Sequence, residues 1–114
     1  MVAYDEELAG RIRQVVQHES GLTERRMFGG LAFLVNGNLA VSASGHGGLL
    51  VRVDPADTAR LLRRVETAPF EMRGRPMDGW LRVDPSGLGT RRRLAAWVAR
   101  GVRYARTLPA RPGL

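Results

Sequence analysis

The stretch from Arg25 to Asn38, Arg-Arg-Met-Phe-Gly-Gly-Leu-Ala-Phe-Leu-Val-Asn-Gly-Asn, constrains this chain more than any other. Leu31 to Val35 is an unbroken apolar run, which suits a strand covered on both faces or a short buried helix. Asn36-Gly37 decides for the strand. It supplies the two residues tolerant of positive φ that a type I′ turn needs, and the twist of that turn matches the strands it joins. Beyond it Leu39, Val41 and Ala43 alternate with Ala40, Ser42 and Ser44, the period of a half-buried strand. The expectation is a hairpin from Phe28 to Ser44. Gly29-Gly30 at its start reads as a bulge or a close backbone approach. It also reads as backbone left bare for a partner, a contact that Arg25 and Arg26 could share.

The rest of the chain arranges itself around that hairpin. Asp5 to Glu19 is predicted helical, with Leu8, Ile12, Val15 and Val16 on one stripe, acidic residues in the first turn and Gly21 as a left-handed cap. Leu22 to Arg26 is a link that could begin the strand early. Gly45-His46-Gly47-Gly48 is a turn, followed by a strand in which Leu49, Val51 and Val53 alternate with Leu50 and Arg52. Asp54-Pro55 opens a helix running to about Val65, with Ala59, Leu61, Leu62 and Val65 inward. Phe70 to Met72 suggests a fourth strand, Gly74 to Gly79 a loop rich in breakers, and Trp80 to Val83 a fifth strand. Thr90 caps a last helix, Arg91 to about Leu108, that Pro109 stops. One side of it carries Leu94, Trp97, Val98, Gly101, Val102, Tyr104, Ala105 and Leu108; the other carries Arg92, Arg93, Arg100, Arg103 and Arg106 with no acidic residue between. Residues 109–114 read as a flexible tail.

Helix, three strands, helix, two strands, helix is an α+β order (α-β-β-β-α-β-β-α). It points to two layers, an antiparallel five-stranded sheet with the helices on one face. The other face should carry Trp80, Arg82 and Arg52, with Leu34 or Leu50. A tryptophan there suits a contact with a protein partner or with a second copy. At 114 residues the chain is read as a single domain, 1–114, large enough for a core without disulfides or metal.

Composition narrows the function classes. There is no cysteine, so disulfides and thiolate sites are excluded, and a reducing compartment fits. No apolar run approaches the ~20 residues of a membrane helix, and the acidic N-terminus lacks the apolar region of a signal peptide. The expectation is a cytoplasmic protein without membrane contact. The net charge is +7, and all 18 basic residues are arginine. A G+C-rich genome would produce that bias, but arginine is also the better fork for phosphate. Nucleic-acid contact through the Arg92–Arg106 row therefore stands as an alternative.

No catalytic constellation emerges. His18 sits at a helix end with no second ligand at metal spacing. His46-Gly47-Gly48 is not accompanied by a Gly-x-Ser-x-Gly elbow, and no phosphate loop occurs. Asp78 near Arg75 and Asp84 near Arg82 read as turn residues or surface pairs. No cofactor and no metal are expected.

Arg26-Met27-Phe28-Gly29-Gly30-Leu31-Ala32-Phe33, Asn36-Gly37, Gly74-Arg75-Pro76-Met77, Gly79-Trp80, Trp97-Val98 and Ala105-Arg106-Thr107-Leu108-Pro109 together resemble the N-terminal domain of the TfoX/Sxy family, over nearly the whole chain. The resemblance implies a fold similar to the secretion-chaperone-like class and regulatory rather than enzymatic work. Members named TfoX or Sxy promote DNA-uptake competence, acting with the cyclic-AMP receptor protein at competence promoters. Longer members carry a second, helical C-terminal domain that has no counterpart here, so the competence function itself need not carry over. The resemblance brings no catalytic residues. The candidates for a partner surface are Arg25, Arg26, Met27, Phe28, Gly29, Gly30, Arg75, Met77, Trp80 and Arg82.

Overall fold

The computed structural model describes residues 4–111. Helix α1 (Glu6–Val16) leads into strands β1 (Leu22–Met27), β2 (Gly30–Val35), β3 (Asn38–Ala43) and β4 (Leu49–Arg52). A 3₁₀ turn at Pro55–Asp57 and the short helix α2 (Thr58–Leu61) follow, then β5 (Thr67–Met72), β6 (Arg75–Val83), a second 3₁₀ turn at Pro85–Gly87, and α3 (Arg91–Thr107). The strands form one antiparallel sheet in the order β1-β2-β3-β4-β6-β5. The helices pack on one face. Leu8, Ile12 and Val16 of α1 and Leu94, Trp97, Val98 and Ala105 of α3 join Leu31, Phe33, Val35, Val41, Leu49, Val51, Leu81 and Val83 in one buried cluster. The α+β class and the three helices stand as expected from the sequence.

The sheet has six strands, not five. The extra one is β1, where a link was expected. Four of its six residues, Thr23 to Arg26, are exposed, so it carries no apolar alternation to betray it. Charged side chains are how an edge strand is kept from pairing with other chains. Phe28-Gly29 is consequently a turn rather than the start of a strand. Met27 pairs with Gly30, and the two residues between them have φ of 53° and 75°, the pattern of a type I′ turn. Gly30 is the close backbone approach: a Cβ there would collide with the carbonyl oxygen of Ala43.

Two other boundaries moved. The expected loop from Gly74 to Gly79 is the first half of β6, entered by a third two-residue turn at Arg73-Gly74. Its proline is tolerated because β4 pairs with β6 only from Trp80 onward, leaving Pro76 with β5 on one side alone. Helix α2 stops at Leu61. Leu61 is buried, but Ala59 is exposed and Val65 is fully exposed, so neither faces inward as the periodicity suggested.

Register explains one further departure. Phe33 pairs with Val41 and Leu34 with Leu39, so Ala40 has no opposite residue. This bulge turns Leu39 to the face away from the helices, where it joins Ala32 and Leu34. Gly101 of α3 lies against the Ala40 carbonyl, so closely that any Cβ would overlap it. The segment after α3, read as a tail, returns to the β2–β3 turn as far as it is described. Arg111 N–H donates to the Asn36 carbonyl at 2.8 Å and Asn38 Nδ2 donates to the Pro109 carbonyl at 2.9 Å. Residues 112–114 lie outside the described residues.

Candidate partner-docking face

The face without helices is not bare. Ala32, Leu34, Leu39, Ser42 and Leu50 are all buried there. They are covered because the sheet curls on itself. Phe28, at the tip of the first hairpin, meets Phe70 of β5 edge-to-face with ring centroids 6.4 Å apart. These two residues come from opposite margins of the sheet, since β1 and β5 are its edge strands. Phe70 in turn lies 6.1 Å from Trp80, and Met27 and Trp80 pack over Ala32, Leu34 and Leu39.

Several devices place these rings. Phe28 is a bulky residue at positive φ, a conformation that costs energy and is held only where surroundings dictate it. Its ring is nevertheless half exposed. Opposite the single Phe70, β6 spends four residues, Met77 to Trp80, because Pro69 pairs with Leu81 and Glu71 with Pro76. Such an irregularity redirects side chains. Trp80 is then fixed by Arg52, its register partner, whose guanidinium carbon sits 5.0 Å above the indole and 5.7 Å from the Tyr104 ring of α3.

Around the rings the surface is cationic and partly apolar. Arg25 shares a face with Met27 by strand alternation, and Arg82 is half-buried on β6 beside Leu50. Arg73 and Arg75 flank the exposed tip of the β5–β6 hairpin, where Met72 and Met77 are 38% and 37% exposed. A groove of about 400 Å³ runs beside Phe70, lined by Ser44, His46, Leu50, Glu71 and Arg82.

Of the residues singled out in the sequence, the structure brings together Met27, Phe28, Trp80 and, on the same curled face, Arg25 and Arg82. Arg75 and Met77 stand on the neighbouring hairpin. Arg26 alternates to the helix side of the edge strand, Gly29 completes a turn, and Gly30 is a buried packing position. Phe70 and Arg52 complete the ring cluster. Sequence reading placed them in strands without naming them as site residues, because Phe70 meets Phe28 only across the two margins of the sheet and Arg52 meets Tyr104 only once α3 is packed beside β4. Trp80 is half-buried rather than freely exposed.

The arginine row of α3 divides. Arg106 donates to Glu19 Oε1 at 2.7 Å and to the Ser20 carbonyl, and Arg93 donates to the Ser86 carbonyl. Arg92 and Arg103 are exposed, and Arg100 is half-buried. Elsewhere, Asp84 accepts from Ser86 N–H and so serves as a turn cap; hydrogen bonding from the Ser86 side chain, and then from its N–H, lowers the Asp84 carboxyl pKa. Among the described residues no group of three or more His, Asp and Glu converges as a metal site. Nor, among them, is any helix long and apolar enough to cross a membrane.

The family model of the TfoX N-terminal domain matches residues 14–105, from the last turn of α1 into the last turn of α3. The chain belongs to the TfoX N-terminal domain family. The curled face just described, with its Met27-Phe28 and Gly79-Trp80 elements, lies wholly inside the matched part of this TfoX N-terminal domain. Neither the curated proteins nor the solved structures contain a match to it.

Proposed function

We propose that this TfoX N-terminal domain is a non-enzymatic adaptor that docks a segment of a protein partner in transcription or competence-related regulation. The regulatory setting is what the resemblance to the TfoX/Sxy family implies; the family match itself supports only membership. The observation that carries the docking role is Phe28, a strained and half-exposed aromatic ring at the head of a Phe28–Phe70–Trp80 cluster. Strain and solvent contact both cost the free domain energy, and a bound apolar side chain would recover part of it.

Charge selects the occupant. Arg82 lines the groove beside Phe70, with Glu71 the acidic residue there; Arg25 lies on the same face by strand alternation, and Arg73 and Arg75 stand on the neighbouring hairpin. The fitting partner segment carries one or two large apolar anchors flanked by Asp or Glu. The anchors would supply affinity and the flanking charges rate and orientation.

The test uses the two tryptophans. Trp97 is 2% exposed, so changes in quenching on binding report Trp80. Acidic peptides bearing Phe or Leu should shield Trp80 from acrylamide in the native protein and fail to do so in Phe28→Gly and Arg82→Gln variants, both of which keep the reporter. Light scattering supplies the second readout. A dimer that becomes a monomer in Phe28→Gly would assign this face to a second copy of the chain and overturn the heterologous reading.

A further inference from the structure

A second cationic surface, built from other arginines, is not used by docking at the curled face. It forms where α2 and the turn after it meet α3. Arg64 and Arg100 lie on the same indole, that of Trp97, with guanidinium carbons 5.2 and 5.4 Å from the ring. Arg103 follows Arg100 by one helical step on α3, which makes them neighbours on the surface. Arg60 stands on α2, its guanidinium 3.3 Å from Asp57. Four arginines thus share a small area with one carboxylate in ion-pair contact.

The crowding registers on Arg100. Its pKa is held below the ordinary arginine value, first by burial and then by the charges of Arg64, Arg60 and Arg103, with Asp57 opposing. Like charges packed this way destabilise the free fold, and an anion laid across them would relieve the repulsion. Arg93 and Arg106, at the two ends of α3, differ because each already has partners in the body of the protein.

We propose that the α2–α3 junction, through Arg60, Arg64, Arg100 and Arg103, binds the phosphate backbone of duplex nucleic acid without reading its sequence. Three features favour this occupant. The cations are spread over an open surface from two elements, which suits a polymer of phosphates more than a single small anion. The hollow beside them is only about 140 Å³ and includes Asp54 and Asp57 among its lining, a poor pocket for a free nucleotide. Trp97, the aromatic ring at the centre, is buried under the two arginines and offers no face for an unpaired base to stack upon. Contacts of this kind position a protein on the duplex and carry no sequence information. The junction draws its arginines from α2, the turn after it and α3, none of which contributes to the Phe28–Phe70–Trp80 cluster; Arg52, between Trp80 and Tyr104, is the link between the two surfaces. Failure of either proposal leaves the other standing.

The experiment is fluorescence anisotropy of the whole protein with a short labelled duplex of arbitrary sequence, titrated over a range of NaCl. Four phosphate contacts predict that log K falls against log salt with a slope of about −3 to −4. Arg60→Gln and Arg103→Gln, both at exposed positions, should each reduce that slope by about 1. Asp57→Asn removes the competing carboxylate and should tighten binding several-fold, which guards against a variant that merely unfolds. Arg92→Gln/Arg106→Gln, outside the junction, should leave affinity within about twofold. The proposal is overturned by absence of binding at low salt, by equal loss in the Arg92/Arg106 pair, or by tighter binding of single strands than of duplex. Competition by polyglutamate as effective as by unlabelled duplex would also overturn it, since the site would then be a general anion surface.

Discussion

The two faces of the sheet are built from similar residues and end in different states. On the helix side, Phe33, Val41, Val51, Leu81 and Leu94 are sealed from water. On the curled side, Ala32, Leu34 and Leu39 are sealed too, but the rings above them are not. Phe28, Met72 and Met77 remain substantially exposed and Trp80 half so. The helix side is covered by whole secondary elements brought against it by their apolar stripes. The curled side is covered only by side chains from the margins of the same sheet. Surface that one layer cannot close is where this protein presents its solvent-facing apolar groups, and the proposed docking role rests on that difference.

That difference can be tested in order of expected effect. Phe33→Ala, at a site with no solvent exposure, should cost about 3–5 kcal/mol in chemical denaturation, enough to threaten the fold of a small domain. A cost below about 1 kcal/mol would mean that the helix side is not the stabilising one. Gly101→Ala drives a methyl into the Ala40 carbonyl and should cost about 1–3 kcal/mol, by shifting α3 off the bulge. On the curled side, Phe28→Gly should change stability by less than about 1 kcal/mol, because relief of the positive-φ strain offsets the lost Phe70 contact. The same variant should abolish shielding of Trp80 by acidic peptides; if binding survives, the comparison fails at its recognition end.

The smallest effect sharpens the edge of the sheet. Arg13 holds Glu24 of β1 in a two-pronged contact, Nε to Oε2 at 2.7 Å and Nη2 to Oε1 at 2.9 Å. Hydrogen bonding from Arg13 lowers the Glu24 pKa below the ordinary 4.5. A lowered carboxyl pKa contributes stability that is present above pH 4.5 and is lost as the pH falls through the depressed folded value. Both side chains are well exposed, so the contribution is small. Thermal melts of Glu24→Gln should lie just below those of the native protein at neutral pH and merge with them at acid pH. A gap that persists at low pH would assign the effect to packing instead.

Much of this architecture is legible in the residues themselves. Asn36-Gly37 announces its turn because few residues accept positive φ, and both of its residues have it. Asp54-Pro55 and Thr90 announce helix starts through side chains that satisfy orphan N–H groups, with Asp54 accepting from Ala56 and Thr90 from Arg93. The stripes of α1 and α3 follow from the helical period. Strand β1 was illegible because an exposed edge needs no apolar pattern, and the Phe28-Gly29 turn because phenylalanine is a poor occupant of its conformation. The first half of β6 was hidden by glycines and a proline that an unpaired margin tolerates.

What the sequence alone determined, then, is the local part: where helices begin, where Asn36-Gly37 folds back, which residues are apolar enough to seek cover, and the family to which they belong. Only the tertiary structure decided that Ala40 bulges and sends Leu39 to the other face, that the sheet margins curl until Phe28 meets Phe70, and that Arg64 and Arg100 meet on Trp97. The physical reason is range. Turns and caps are settled by backbone dihedrals and hydrogen bonds a few residues apart, whereas register, curl and the meeting of distant side chains are settled by packing the whole sheet against its helices.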